Sequence, residues 1–135
     1  MTEMRTIQSF RDIRAWQQAL AFSIRVMKFS KSLPPEERFA LADQLRRAAV
    51  SAPSNIAEGY GRGTRIEYRR YLRVARGSLC ELHTQLLICR ELNYASAQII
   101  NDLIAECENC GRTLQALLRS LAAKPKSEHT NNSQS

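Results

Sequence analysis

Histidine is nearly absent from this sequence of 135 residues: there are two, and one of them, His129, lies in a polar tail. No serine or cysteine stands in a sharp turn beside a fixed histidine and an acid, so no nucleophilic constellation is visible and the chain reads as a non-enzyme. Long hydrophobic runs are missing as well. Nothing approaches the ~18 apolar residues that span a bilayer, and the start MTEMRTIQSFRDIR holds no uninterrupted apolar stretch of the signal-peptide kind. A cytoplasmic protein with no membrane partner is expected. Period-two alternation bounded by turn residues is absent too, which leaves no recognisable strand. Cysteine is limited to four residues, and in a cytoplasmic setting these are expected as reduced thiols rather than a disulfide framework.

What is present is arginine. The formal charge of +7 comes from 20 basic residues against 13 acidic ones, and sixteen of the basic residues are arginine. The guanidinium fork suits bidentate contacts to phosphate or carboxylate. That bias fits nucleic acid and fits ion pairs between subunits; charge alone predicts attraction to polyanions in general. With 44% apolar residues the length suits one domain around a single core, here residues 1–123, followed by the polar tail 124–135, KPKSEHTNNSQS. The tail has no apolar face and is expected to be disordered in isolation.

Four segments carry helical periodicity, so the fold class is all-α, an antiparallel up-and-down four-helix bundle. The first helix is expected over about Asp12 to Lys31, ahead of Pro34-Pro35. It bears two apolar stripes: Ile13, Trp16, Leu20, Ile24 and Met27, and Ala15, Ala19, Phe22, Val26 and Phe29. So wide an apolar surface points to more than one neighbour, and Trp16, Phe22, Val26 and Phe29 are candidates for an oligomer contact. The second helix is expected to open at Pro35 with Glu36-Glu37 in its first turn. Its stripe of Phe39, Ala42, Leu45, Ala49, Ala52 and Ile56 runs straight through Pro53, so the helix should continue past a kink there and stop at Gly59.

Thr64-Arg65-Ile66-Glu67 is a capping-box pattern that starts a third helix. Tyr68, Leu72, Ala75, Leu79, Leu82, Leu86 and Cys89 then follow the 4-3 spacing of a bundle seam, and Asn93 is the expected left-handed cap. Ser96 can cap the fourth helix, whose seam is Ile100, Leu103, Cys107, Cys110, Leu114, Leu117 and Leu121.

Cys107-Glu108-Asn109-Cys110 has the spacing of a redox or zinc motif. Both sulfurs fall on the seam, no second pair exists, and nothing forces Cys80, His83 or Cys89 to converge with them; core packing is the better reading, and no metal or cofactor is expected. Gly59-Tyr60-Gly61-Arg62-Gly63 matches neither the P-loop nor the dinucleotide pattern and follows a helix, so its glycines serve a chain reversal. The arginines say more. Between Gly59 and Cys80 stand Arg62, Arg65, Arg69, Arg70, Arg73 and Arg76 against one acid, Glu67. Arg65, Arg69, Arg73 and Arg76 fall within about 80° of one another on a helical wheel. They form either a solvated face with intersubunit pairs to Glu81, Glu91 or Asp43, or a phosphate-backbone track with Tyr60 and Tyr68 near enough to stack. Arg46 and Arg47 are possible additions to such a track.

The runs FRDIRAWQQAL and LPPEERFALADQLRRAAVSAPSNIAEGYGRGTRIEYRRYLRVARGSLCELHTQLLICRELNY, and above all the string RRAAVSAPSNIAEGYGRG, resemble the family of small proteins encoded by intervening sequences in bacterial 23S ribosomal RNA genes, also labelled S23 ribosomal proteins. The likeness covers about residues 8–94. It implies a four-helix bundle assembling as a ring-shaped homopentamer with a basic surface and a role involving RNA. The family also looks related to the accessory variability determinant of diversity-generating retroelements, which implies a reverse transcriptase as a partner. Asn93, where a glycine is frequent, and Ala52, where a larger aliphatic is usual, depart from the family pattern.

Overall fold

The computed structural model describes residues 6–122; Ala123, the tail and His129 lie outside them. Within that range four α-helices follow one another: α1, Arg14–Ser30; α2, Leu41–Gly61; α3, Arg65–Glu91; and α4, Ala97–Ala122. Each packs on the helix before and after it, α1 also packs on α4, and the backbones of the diagonal pairs stay apart. This is the square section of an up-and-down four-helix bundle, and short connections force neighbouring helices antiparallel. No strand forms among the described residues. No helix among them is long and apolar enough to cross a membrane.

The seams close as their spacing demands. Leu72, Ala75, Leu79, Leu82, Leu86 and Cys89 of α3 are buried, as are Ile100, Leu103, Cys107, Cys110 and Leu114 of α4. In the last turns of α4 the buried position is Leu118, with Leu117 and Leu121 half-buried against the core. The straight 3.6-residue helix drifts off a strict heptad there, and nothing supercoils it back. Thr64 caps α3, its hydroxyl accepting from the Glu67 amide at 3.2 Å. Only half of the expected capping box forms, because the Glu67 carboxylate is drawn to Arg70 instead, at 2.9 Å. At the other end Asn93 sits at φ 57°. The Tyr94 amide donates to the Cys89 carbonyl and the Asn93 amide to that of Arg90, the paired bonds of a Schellman motif. Ser96 caps α4, accepting from the Ile99 amide at 3.2 Å.

Three expectations are corrected. The first helix begins at Arg14, not Asp12, because Phe10–Asp12 forms a separate 3₁₀ turn with its own capping box from Ser9 and Asp12. The second begins at Leu41, not Pro35: Pro35–Glu37 is a 3₁₀ turn, and the chain turns again before α2. Phe39 therefore falls out of the core stripe and is 85% exposed, with the Arg38 guanidinium over its ring at 5.8 Å. Glu37 still serves the start of α2. Its carboxylate accepts from the Leu41 amide at 3.2 Å and from the Tyr94 hydroxyl at 2.7 Å, tying that start to the α3–α4 connection. Past Pro53 α2 does continue, and it ends at Gly61 rather than Gly59.

The third correction concerns α1. Of its two stripes the core takes Ala15, Ala19, Phe22, Val26 and Phe29. Small residues early and large ones late let α1 approach α2 and α4 closely and still fill the interior. Phe22, Val26 and Phe29 are thus sealed inside a single chain and cannot face a second copy. The other stripe is divided: Ile13 is buried, Trp16 and Met27 are half-buried against the core with Trp16 edge-on to Phe10 at 5.0 Å, and only Leu20, 37% exposed, and Ile24, 46% exposed, face outward.

Candidate nucleic-acid interface

The reversal between α2 and α3 brings the arginines into place. Residues 62–64 make the whole connection, with Gly63 at φ 86°, a conformation that favours glycine. Gly59 is buried where the helices meet, and a Cβ there would lie 2.7 Å from Tyr71 Cβ. Tyr60 and Tyr68 close this end of the bundle edge-to-face, with ring centroids 5.9 Å apart. Burial, and then the neighbouring Tyr60, pushes the Tyr68 phenol up to about 12. Both rings are half-buried against each other and the core, which leaves only part of their faces free for stacking.

The six arginines divide into two groups. Arg62 and Arg70 flank Tyr71, their guanidinium carbons 5.1 and 4.7 Å from its ring centre. Arg62 donates to the Tyr71 hydroxyl at 2.7 Å and to Glu58 at 3.0 Å, and these contacts hold it further toward its charged form. Arg70 is paired with Glu67, whose carboxyl it holds below its ordinary range. This side of α3 is largely self-neutralised.

The other side is not. Arg69, Arg73 and Arg76 line a groove of about 190 Å³ between α3 and α4, with Gln115, Leu118, Arg119 and Ala122 across from them. No acid lines it, and among the described residues none of its four arginines has an ion-pair partner. Arg76 donates to the Gln115 side-chain oxygen. The Nε of Arg69 is buried without a hydrogen-bond partner. Arg65 is exposed at the head of the same stripe. Four like charges left unpaired around one hollow destabilise the free protein and favour a polyanion.

Arg119 and Gln115 were not singled out in the sequence, although a signal existed. In an antiparallel α3–α4 pair the last turns of α4 must lie beside the first turns of α3, and Arg119 directly follows the buried Leu118. Arg46 and Arg47 do not join the groove. They stand near the start of α2, at the opposite end from Arg62, and both pair with Asp43 of their own helix, at 3.6 and 3.0 Å. Within the chain Asp43 is thus engaged by its own helix, and Glu81 and Glu91 pair with no arginine among the described residues.

The cysteines offer no comparable chemistry. Cys89, Cys107 and Cys110 are buried, and Cys80 alone is exposed. Cys107 donates its S–H to the Leu79 carbonyl at 3.3 Å. Burial pushes the Cys107 and Cys110 thiols up to about 12 each and Cys89 to about 11. No group of three His, Cys, Asp or Glu that could hold a metal occurs among the described residues. At pH 8 a thiol held that high stays protonated and unreactive. Ellman's reagent is expected to label one cysteine quickly in the native protein and all four in denaturant; fast labelling of two or more would contradict the packed seam. The sign for stability follows. A pKa raised in the fold stabilises at pH values below the unfolded thiol's ~8.5, and that contribution is lost as the pH climbs from there toward 12.

Comparison with known proteins adds the following. The family model described as 23S rRNA-intervening sequence protein matches residues 11–116. The solved structure of a protein with unknown function from the S23 ribosomal protein family of Bacteroides thetaiotaomicron is similar, with a TM-score of 0.73 over 78% of this chain and 95% of that one, at 19% sequence identity. At that identity the likeness speaks for the fold alone. No curated protein matches the chain.

Proposed function

The chain belongs to the 23S rRNA-intervening sequence protein family, and from that premise we propose that it is a non-enzymatic, RNA-binding homo-oligomer that works in the cytoplasm. One observation carries the reading: Arg69, Arg73 and Arg76 of α3 meet Arg119 of α4 in a groove lined by no acid. Guanidinium groups in such a place recognise phosphate by charge and fork geometry, with little discrimination between bases. Arg65 extends the surface along α3, and Arg62 and Arg70 border it as partly neutralised contacts. The exposed stripe of Leu20 and Ile24 supports self-association, since a second copy would cover it. A ring of five is the assembly that the resemblance implies.

The competing reading is an accessory subunit that docks a reverse transcriptase or another catalytic protein, its arginines meeting acidic protein surface or shared nucleic acid. Native mass spectrometry of the protein purified from its host, before and after ribonuclease, separates the two. The RNA reading predicts five copies carrying a ribonuclease-sensitive mass. A stoichiometric protein partner that survives ribonuclease, with no bound RNA, would replace it. In the same instrument Leu20→Asp with Ile24→Asp is expected to yield monomers of undiminished helicity; an unchanged copy number would place the contact elsewhere.

A further inference from the structure

Resting on the RNA-binding reading, we propose that the groove between α3 and α4 is an end-recognition site that grips one terminal phosphate of an RNA strand rather than a stretch of backbone. The surface is divided unevenly. Arg62 and Arg70 are engaged by Tyr71 and by acids, Arg65 is exposed at the helix start outside the groove lining, and four guanidiniums are gathered around a single hollow of about 190 Å³. A track would spread its charges along a line; this is a cup.

The chemistry of the cup favours a phosphate monoester over a diester. A diester presents two terminal oxygens and one negative charge; a monoester presents three oxygens and close to two charges at neutral pH. The donors here are numerous. Arg69 keeps a buried Nε with no acceptor in the free protein. Gln115 accepts from Arg76 through its side-chain oxygen, which leaves its amide nitrogen as a donor. Arg73 and Arg119 have no carboxylate to hold them back. Leu118, 6% exposed, supplies an apolar base beneath the guanidinium groups, and the hollow itself opens to solvent. The C-terminal end of α4 points its carbonyls nearby, but a helix end carries only about half a negative charge against four full positive ones.

The test uses the full chain and one single-stranded RNA labelled at an internal nucleotide, prepared with phosphates at both ends or with hydroxyls at both ends. Fluorescence anisotropy at physiological salt is expected to show about tenfold tighter binding of the phosphorylated strand, from the extra charge and oxygen. Millimolar inorganic phosphate should erase that preference. In Arg119→Gln the ratio between the two strands should fall to about one, whatever loss both share. Equal binding of the two strands by the native protein overturns the proposal while the RNA reading stands. Binding of neither strand overturns both. Erasure of the preference at micromolar inorganic phosphate would make free phosphate the occupant and overturn end recognition, and a preference that survives Arg119→Gln would place it outside this groove.

Discussion

Gly59→Ala is expected to lower the melting temperature by a few degrees, up to about 8 °C, although alanine is ordinarily the better helix former by about 1 kcal/mol. The new Cβ would lie 2.7 Å from Tyr71 Cβ and 3.1 Å from the Tyr68 carbonyl oxygen. Neither atom can swing away, because both are fixed to the α3 backbone, so α2 and α3 must separate. Overpacking of that kind costs about 1–3 kcal/mol and exceeds the propensity gain. The loss reaches the arginines as well: separation pulls the Arg62 guanidinium from the Tyr71 hydroxyl and opens the Tyr60–Tyr68 contact. Gly77→Ala and Gly111→Ala are the controls. Both lie inside helices and face open space, so each should gain up to about 1 kcal/mol, and the melting temperature should rise. Thermal unfolding followed by circular dichroism reads all three. A rise for Gly59→Ala would mean that the helices are not in contact there.

Replacing Arg69, Arg73 and Arg76 together by glutamine is the second large effect. If the three hold the groove's terminal phosphate, with its close to two charges, they supply about 1.4 units of the slope of log affinity against log salt. Their removal should weaken RNA binding about 15-fold near 0.15 M salt and flatten the slope by that amount. The fold should survive, since these side chains have no ion-pair partners among the described residues and repel one another in the free protein. Replacement of Arg46 and Arg47 offers the contrast. They are paired with Asp43 at the other end of α2, and their loss should change RNA affinity only a few-fold. Equal losses from the two sets would mean that net charge, and not the groove, governs binding.

Much of the architecture could be read from residue order because local rules and packing agree there. The α3 and α4 seams, the Thr64 and Ser96 caps and the left-handed Asn93 each follow from spacing or from one residue's chemistry. The start of α2 was misplaced because Pro35 and the two glutamates after it fit a 3₁₀ turn as well as an α-helical first turn; only the Glu37–Tyr94 contact, which is tertiary, separates them. The α1 stripes were legible as two faces, yet which one turns inward depends on α2 and α4. Packing chose the alanine-rich face and left Leu20 and Ile24 outside. Phe22, Val26 and Phe29 were lost as interface candidates by that same choice.

The candidate site shows the same divide. Six arginines in one short span were obvious, and their shared face followed from the helical period. That Arg62 and Arg70 would be drawn off by Tyr71 and by acids, while Arg69, Arg73 and Arg76 gained Arg119, depends on how α3 crosses α2 and α4. The shape of the charge is tertiary information even when its amount is not.

Binding of RNA by this unpaired arginine cluster through phosphate charge is read from the affinity of the purified native protein for a single-stranded RNA with terminal phosphates across a salt series. Four groove arginines gathered on one terminal phosphate of close to two charges predict a straight line of log affinity against log salt with a slope of about −1.4. A slope near zero, or no binding at low salt, would contradict it.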